Sequence, residues 1–269
     1  MKWISYILII MSVINPKKEY RKLVTFGCSF TNGHFTRELG TWGTCLAKRL
    51  NCDHDHYANS GGSNYAIMSA IVNFCERMDT KDVCIGIQWT ELTRRDIWDS
   101  KRGMYFTFEA AALYEDGYNH PEFDITPFRE NKDFFLDVWY DMRENILRTV
   151  QNMFIIQNYI KSKNIDYVMF EGLGSILDKY YPSTKIEESI KKRELPNATD
   201  LTLIVDEVKI NVFNDKSFFT KYGDMRNFML THPLFDSKVN DNHPNIEFCE
   251  WWSNEIYEYL KEVNTTKLI

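Results

Sequence analysis

Lys22-Leu23-Val24-Thr25-Phe26-Gly27-Cys28-Ser29-Phe30-Thr31-Asn32-Gly33, KLVTFGCSFTNG, decides how this chain is read. Leu23 to Phe26 is a short apolar run bounded by turn residues, the pattern of a buried strand. Gly27 ends the run, and Asn32-Gly33 marks a turn just beyond it. A tight turn accounts for the glycines. A nucleophile held at a strand-to-helix corner accounts in addition for the small hydroxyl side chain of Ser29.

Working outward, the same alternation repeats. Thr41 to Leu50 carries Trp42, Leu46, Ala47 and Leu50 at helical spacing. His54 to Ala58 reads as a short strand. Asn59 to Asn64, NSGGSN, reads as a loop by composition. Tyr65 to Met78 has Ile67, Ala70, Ile71 and Phe74 on one helical face, and Val83 to Ile87 is a second buried strand. The order β-α-β-α-β with short connections predicts a parallel sheet covered on both faces, an α/β fold of three layers. Tyr105 to Tyr114 is apolar and aromatic, and Glu115 to Lys132 reads as a loop excursion around Pro121 and Pro127. Arg143 to Lys163 is a helix by its repeating Ile146, Val150, Met153, Phe154, Gln157 and Ile160. Ile165 to Phe170 is the next strand. Ser183 to Asp200 reads as a charged surface insertion, and Leu201 to Val205 and Val208 to Val212 as strands or ligand-facing excursions. Asn245 to Lys261 is a closing helix with Cys249, Trp252, Ile256 and Leu260 on its apolar face. With no internal repeat and no low-complexity linker, residues 21–262 read as one domain with insertions near 100–140 and 172–230.

Composition narrows the function classes. The 269 residues are 44% hydrophobic and 15% aromatic with a net charge of −6, enough apolar content for a sizeable core. The acidic balance lacks the basic face that nucleic-acid binding needs. The six cysteines form no CxxC pair and no zinc-type spacing, so a reducing compartment and a soluble, cytoplasmic protein are the simpler expectation. Residues 1–20 hold a mainly apolar stretch of 12 residues, Trp3 to Ile14, followed by Asn15-Pro16-Lys17-Lys18. The run is short for a transmembrane helix and no small-x-small cleavage site follows it. It reads as an uncleaved anchor, a buried or interfacial element, or sequence upstream of a start at Met11.

In an open α/β sheet, ligands bind at the carboxyl ends of the strands. Four polar blocks fall at such places or near the final helix: Gly27-Cys28-Ser29, Ser60-Gly61-Gly62-Ser63-Asn64, Gly86-Ile87-Gln88-Trp89-Thr90-Glu91 and Asn240-Asp241-Asn242-His243-Pro244. Their order over Leu23 to Leu260 resembles the SGNH (GDSL-type) hydrolase superfamily, its phage-encoded members in particular. The resemblance implies a flavodoxin-like α/β/α domain and a serine esterase. Ser29 would be the nucleophile, His243 the base and Asp241 the residue that orients it. An oxyanion hole would be drawn from the N–H groups of Ser29 and Gly61 and a side chain of Gln88, Thr90 or Asn64. It implies acyl or acetyl esters, including O-acetylated glycans, as substrates, with no metal and no organic cofactor.

The chain departs from the family pattern at three points. Cys28 stands where Asp usually precedes the serine. Asp241 lies two residues before His243 where the family has three. Gln88, or Thr90 in a register shifted by two, stands where the family has an asparagine amide. That last departure motivates an alternative of another class: a catalytically silent relative that binds carbohydrate or serves as a virion-associated structural protein. Three further features have plainer readings. Cys52-Asp53-His54-Asp55-His56 places both histidines on one face of a strand, yet no further metal ligand is nearby, so a polar edge strand is expected. His232 rivals His243, but His243 abuts the final helix. Arg94 and Arg95 either meet a negatively charged substrate or tie down a loop.

Overall fold

A computed structural model of the chain describes residues 12–33, 36, 40–99, 104–109, 130–131, 142–173, 215–235 and 243–265. Three strands follow the expected alternation: β1 (Lys22–Gly27), β2 (Asp53–Ala58) and β3 (Val83–Trp89). They are joined through α1 (Ser29–Asn32), α2 (Trp42–Leu50) and α3 (Asn64–Arg77). A hairpin, β4 (Arg94–Asp99) with β5 (Met104–Glu109), precedes α4 (Met142–Ser162) and β6 (Asp166–Glu171). Two helices complete the described chain: α5 (Met225–Thr231) and α6 (Ile246–Thr265). The main sheet has the order β2-β1-β3-β6, all parallel, and β4-β5 is a separate antiparallel pair. This is the flavodoxin-like order, in which the chain reverses direction across the sheet between β1 and β3.

Each face of the sheet has its own core. On one side Leu23, Cys84, Val168 and Phe170 pack under α2 and α6, with Trp42, Leu46, Phe248 and Trp252 fully buried. On the other, Val24, Phe26, Ile85, Ile87 and Met169 pack under α3 and α4, with Ile71, Val150 and Ile156. Alternate residues of β1, β3 and β6 feed opposite cores, which is why these strands read as unbroken apolar runs. Every residue of β3 is buried. The helix starts are set locally. Thr41 caps α2 in a reciprocal pair with Thr44, Ser63 accepts from Ala66 N–H at α3, and Asp224 accepts from Asn227 N–H at α5.

The β4–β5 hairpin and α5 were not expected from the pattern. The readings at 183–200, 201–205 and 208–212 lie outside the described residues. Residues 12–14 belong to the sheet: Tyr167 N–H donates to Ser12 O at 2.9 Å and Ile14 N–H to Tyr167 O at 3.3 Å, parallel to β6. Further along the same edge, Met169 N–H donates to Ser217 O at 2.8 Å and Phe219 N–H to Met169 O at 2.8 Å. Val13 and Ile14 are buried, which is the buried-element reading of this part of the apolar run. Among the described residues no helix is long and apolar enough to cross a membrane.

β2 is the outer strand of the described sheet, and its Asp53, Asp55 and His56 are exposed. His54 turns inward. Its Nε2 meets Thr25 Oγ1 at 2.9 Å and its Nδ1 meets Thr44 Oγ1 at 3.2 Å. Hydroxyls can give or take a proton, so a neutral ring is satisfied at both nitrogens. Burial, helped by the neighbouring His56, pushes the His54 pKa down to about 4. The unfolded chain takes up that proton near pH 6.5, so folding stability falls as pH drops from about 6.5 to about 4 and the loss is complete below that. Urea unfolding across that range is expected to lose roughly 3 kcal/mol more in the wild type than in His54→Gln. Parallel curves would remove His54 as the cause.

Candidate active site

The first block forms a corner at the carboxyl end of β1. Cys28 is extended, at φ −101° and ψ −150°, and Ser29 opens α1, one short turn closed by Gly33 in the left-handed region at φ 67°. The corner points Cys28 into the core, where it is fully buried, and leaves Ser29 8% exposed. His243, just before α6, brings its Nε2 to 3.0 Å from Ser29 Oγ. The imidazole also lies against Phe30, with ring centroids 5.3 Å apart. Residues 214 apart in sequence thus share a hydrogen bond of the kind that passes a proton from a hydroxyl to an imidazole. Asp241 lies outside the described residues. The rival His232 packs on Trp251 and Phe248, and its Nδ1 accepts from Leu234 N–H at 3.3 Å.

The second block is laced to the first. Asn59 N–H donates to Gly27 O at 3.3 Å, and Asn32 Nδ2 donates to Ser60 Oγ at 3.2 Å. Gly62 N–H is spent on Asn59 O at 2.9 Å. The Gly61 N–H meets no acceptor among the described residues. Gly61 stands at φ 77°, the left-handed backbone that glycine adopts without strain.

Two amides foreseen as oxyanion donors are used elsewhere. Gln88 lies fully buried beneath the Ser29 corner. Its Oε1 accepts from Thr31 Oγ1 at 2.7 Å, and Thr31 Oγ1 in turn accepts from Trp42 Nε1 at 3.0 Å. Its Nε2 gives one hydrogen to Trp89 O and the other to Cys28 Sγ, both at 3.2 Å. Gln88 is one methylene longer than asparagine, and that length carries the amide under the turn. Gly172 makes the room, because a Cβ there would lie 1.9 Å from Gln88 Nε2. Asn64 is likewise committed. Its Oδ1 accepts from Thr90 N–H at 2.8 Å, and its Nδ2 donates to Thr90 O at 3.1 Å and Thr149 Oγ1 at 3.3 Å. Neither amide retains a hydrogen for an oxyanion. Spacing along the chain carries no signal of this, since it does not report where a side chain turns.

Thr90 is different. Its Oγ1 accepts from Arg94 Nη1 at 2.9 Å, which leaves the hydroxyl its own proton to give. Arg95 ties β4 to α4, donating from Nε to Asn145 Oδ1 at 2.8 Å and from Nη2 to Glu144 at 2.5 Å. That is the loop-anchoring alternative for this residue. No group of three or more histidine, cysteine or acidic side chains suited to a metal ion occurs among the described residues.

Neither a protein-family model nor a curated protein sequence matches the chain. Solved structures similar to it include a psychrotrophic esterase from Pseudoalteromonas sp., with a TM-score of 0.44 and 11% identity over 91% of this chain and 100% of that one. A GDSL-like lipase from Bacteroides thetaiotaomicron matches with a TM-score of 0.42 and 12% identity, over 93% of each chain. A catalytic mutant of an acetylxylan esterase from Geobacillus stearothermophilus matches with a TM-score of 0.43 and 11% identity, over 89% of this chain and 94% of that one.

Replacing Gln88 by Met, which keeps its length, removes the Oε1 that accepts from the Thr31 hydroxyl and, at 3.4 Å, from the Cys28 N–H, and strands both donors in the core. The expected loss is about 1–3 kcal/mol in urea unfolding. An unchanged midpoint would show that the network under Ser29 holds nothing in place.

Proposed function

We propose that the protein is a serine-dependent ester hydrolase of the SGNH type. The observation that carries this reading is the 3.0 Å contact between Ser29 Oγ and His243 Nε2 at the carboxyl end of a parallel strand. A serine hydroxyl is a weak nucleophile until a base takes its proton, and an imidazole both accepts that proton and returns it near neutral pH. Ser29 Oγ attacks the ester carbonyl as His243 takes its proton. The tetrahedral intermediate collapses, its C–O bond breaks, and His243 protonates the departing alkoxide. Water, deprotonated by the same imidazole, then releases the acid and restores Ser29. Asp241, two residues before His243, is the proposed partner that fixes the imidazole tautomer and stabilises the imidazolium.

The oxyanion is assigned to the N–H groups of Ser29 and Gly61 and the Thr90 hydroxyl. Ser29 supports its part because the first N–H groups of a helix have no partner within it. Gly61 supports its part because Gly62, not Gly61, is held by Asn59 O. Acyl and acetyl esters are the proposed substrates, O-acetylated glycans among them. No metal or organic cofactor has a step in this chemistry.

Hydrolysis of p-nitrophenyl acetate by the purified protein tests the reading. Activity is expected to fall ~10³-fold or more in both Ser29→Ala and His243→Ala, with folding intact by circular dichroism. Equal rates in all three proteins would overturn it in favour of a silent relative. Thr90→Val, nearly isosteric, is expected to lower kcat about a hundredfold with little change in KM. An equal fall in kcat with Gln88→Met alone would return the donor role to Gln88.

A further inference from the structure

Beside the second block lies a cavity of about 190 Å³, walled by β4, the start of α3 and the first turns of α4. By the volume a liquid water occupies, it holds on the order of six waters, room for one small polar group. Arg94, Arg95, Asp96, Asn145, Arg148 and Thr149 line it, together with Asn64, three residues beyond Gly61. The lining is rich in donors and short of acceptors. Asp96, its one carboxylate among the described residues, already accepts from Ser63 Oγ at 2.5 Å and Thr107 Oγ1 at 2.7 Å. Among the described residues Arg95 and Arg148 share a single carboxylate, Glu144, so the pair carries more positive charge than that partner balances. Asn145 is 2% exposed, and its Nδ2 has no hydrogen-bond partner among the described residues. A buried amide left unpaired costs roughly 1–3 kcal/mol, so an acceptor arriving in this cavity regains what the empty pocket forgoes.

We propose that this cavity is a subsite for a carboxylate carried by a sugar. A planar carboxylate fits both the guanidinium fork and an amide NH2, which a hydroxyl alone does not. Three peptide units separate Asn64 from Gly61, at most about 11 Å of extended chain. The cavity therefore adjoins the Gly61 loop, and a sugar whose carboxylate enters the cavity lies beside that loop. The inference rests on the esterase reading for its role in turnover, but not for binding itself.

Glucuronate, with glucose as its neutral counterpart, is the probe. Binding is followed by NMR or calorimetry at matched ionic strength. Glucuronate is expected to bind at least tenfold more tightly than glucose, and Asn145→Asp to weaken it about tenfold or more by setting a negative charge in the same shape. Arg148 has a side chain 53% exposed, so Arg148→Gln is expected to fold normally and to weaken glucuronate several-fold. Ser29→Ala is expected to bind glucuronate as the wild type does. Equal affinity for both sugars would overturn the proposal. So would no glucuronate binding up to about 50 mM, or wild-type affinity in both variants. Glucuronate binding without ester hydrolysis would leave the subsite standing and remove the esterase. Ser29-dependent hydrolysis without glucuronate binding would do the reverse.

Discussion

A buried amide must meet all its partners or destabilise the core, and Gln88 sits where that demand reaches furthest. β3 runs between β1 and β6, so its last residues lie at the middle of the sheet. From there the Gln88 amide touches the β1–α1 corner through Thr31 and Cys28, and α2 through the Thr31–Trp42 link. Gly27 and Gly172 are small because this amide and the Thr31 hydroxyl occupy the space a side chain would take. The floor beneath Ser29 is therefore polar, satisfied and tightly packed, and the corner above it has one available shape.

The same logic extends sideways. Asn64 mimics a peptide group toward Thr90, pairing with both its N–H and its C=O, and reaches Thr149 on α4 as well. Asn32 and Gly27 fasten the second loop to the first. Three loops at the carboxyl ends of parallel strands are thus joined by side-chain amides rather than by apolar contact. Amide pairs have direction, so they set the orientation of the N–H groups around Ser29 as well as their distance.

Much of this fold is legible in the sequence, because central parallel strands and amphipathic helices write strong periodic patterns. Val83–Ile87 and Arg143–Lys163 are read within two residues of their observed bounds. The β4–β5 hairpin escapes because Arg94-Arg95-Asp96 puts charges where an alternating strand would have apolar residues, and no Asn-Gly turn follows. Residues 12–14 escape because a mainly apolar stretch looks the same whether it pairs with a strand or faces lipid. Ser29 and His243 are legible as residue types near strand and helix ends. Gln88 and Asn64 are legible as amides but not as structural ones, since burial and rotamer are set by the fold around them.

In the proposed oxyanion hole Thr90 stands where Gln88 was expected, and that exchange has a chemical consequence. A hydroxyl hydrogen rotates about its C–O bond, whereas amide hydrogens are fixed in plane. Thr90 is not an isolated hydroxyl, however: Arg94 Nη1 donates to its oxygen at 2.9 Å. A cationic donor on Oγ1 draws electron density from the O–H bond, and hydrogen bonds in such a chain strengthen one another. In the proposed reaction the guanidinium thus acts on the oxyanion through the threonine, without touching it. Arg94 also lines the neighbouring cavity. One side chain thus stands between the Thr90 hydroxyl and the cavity.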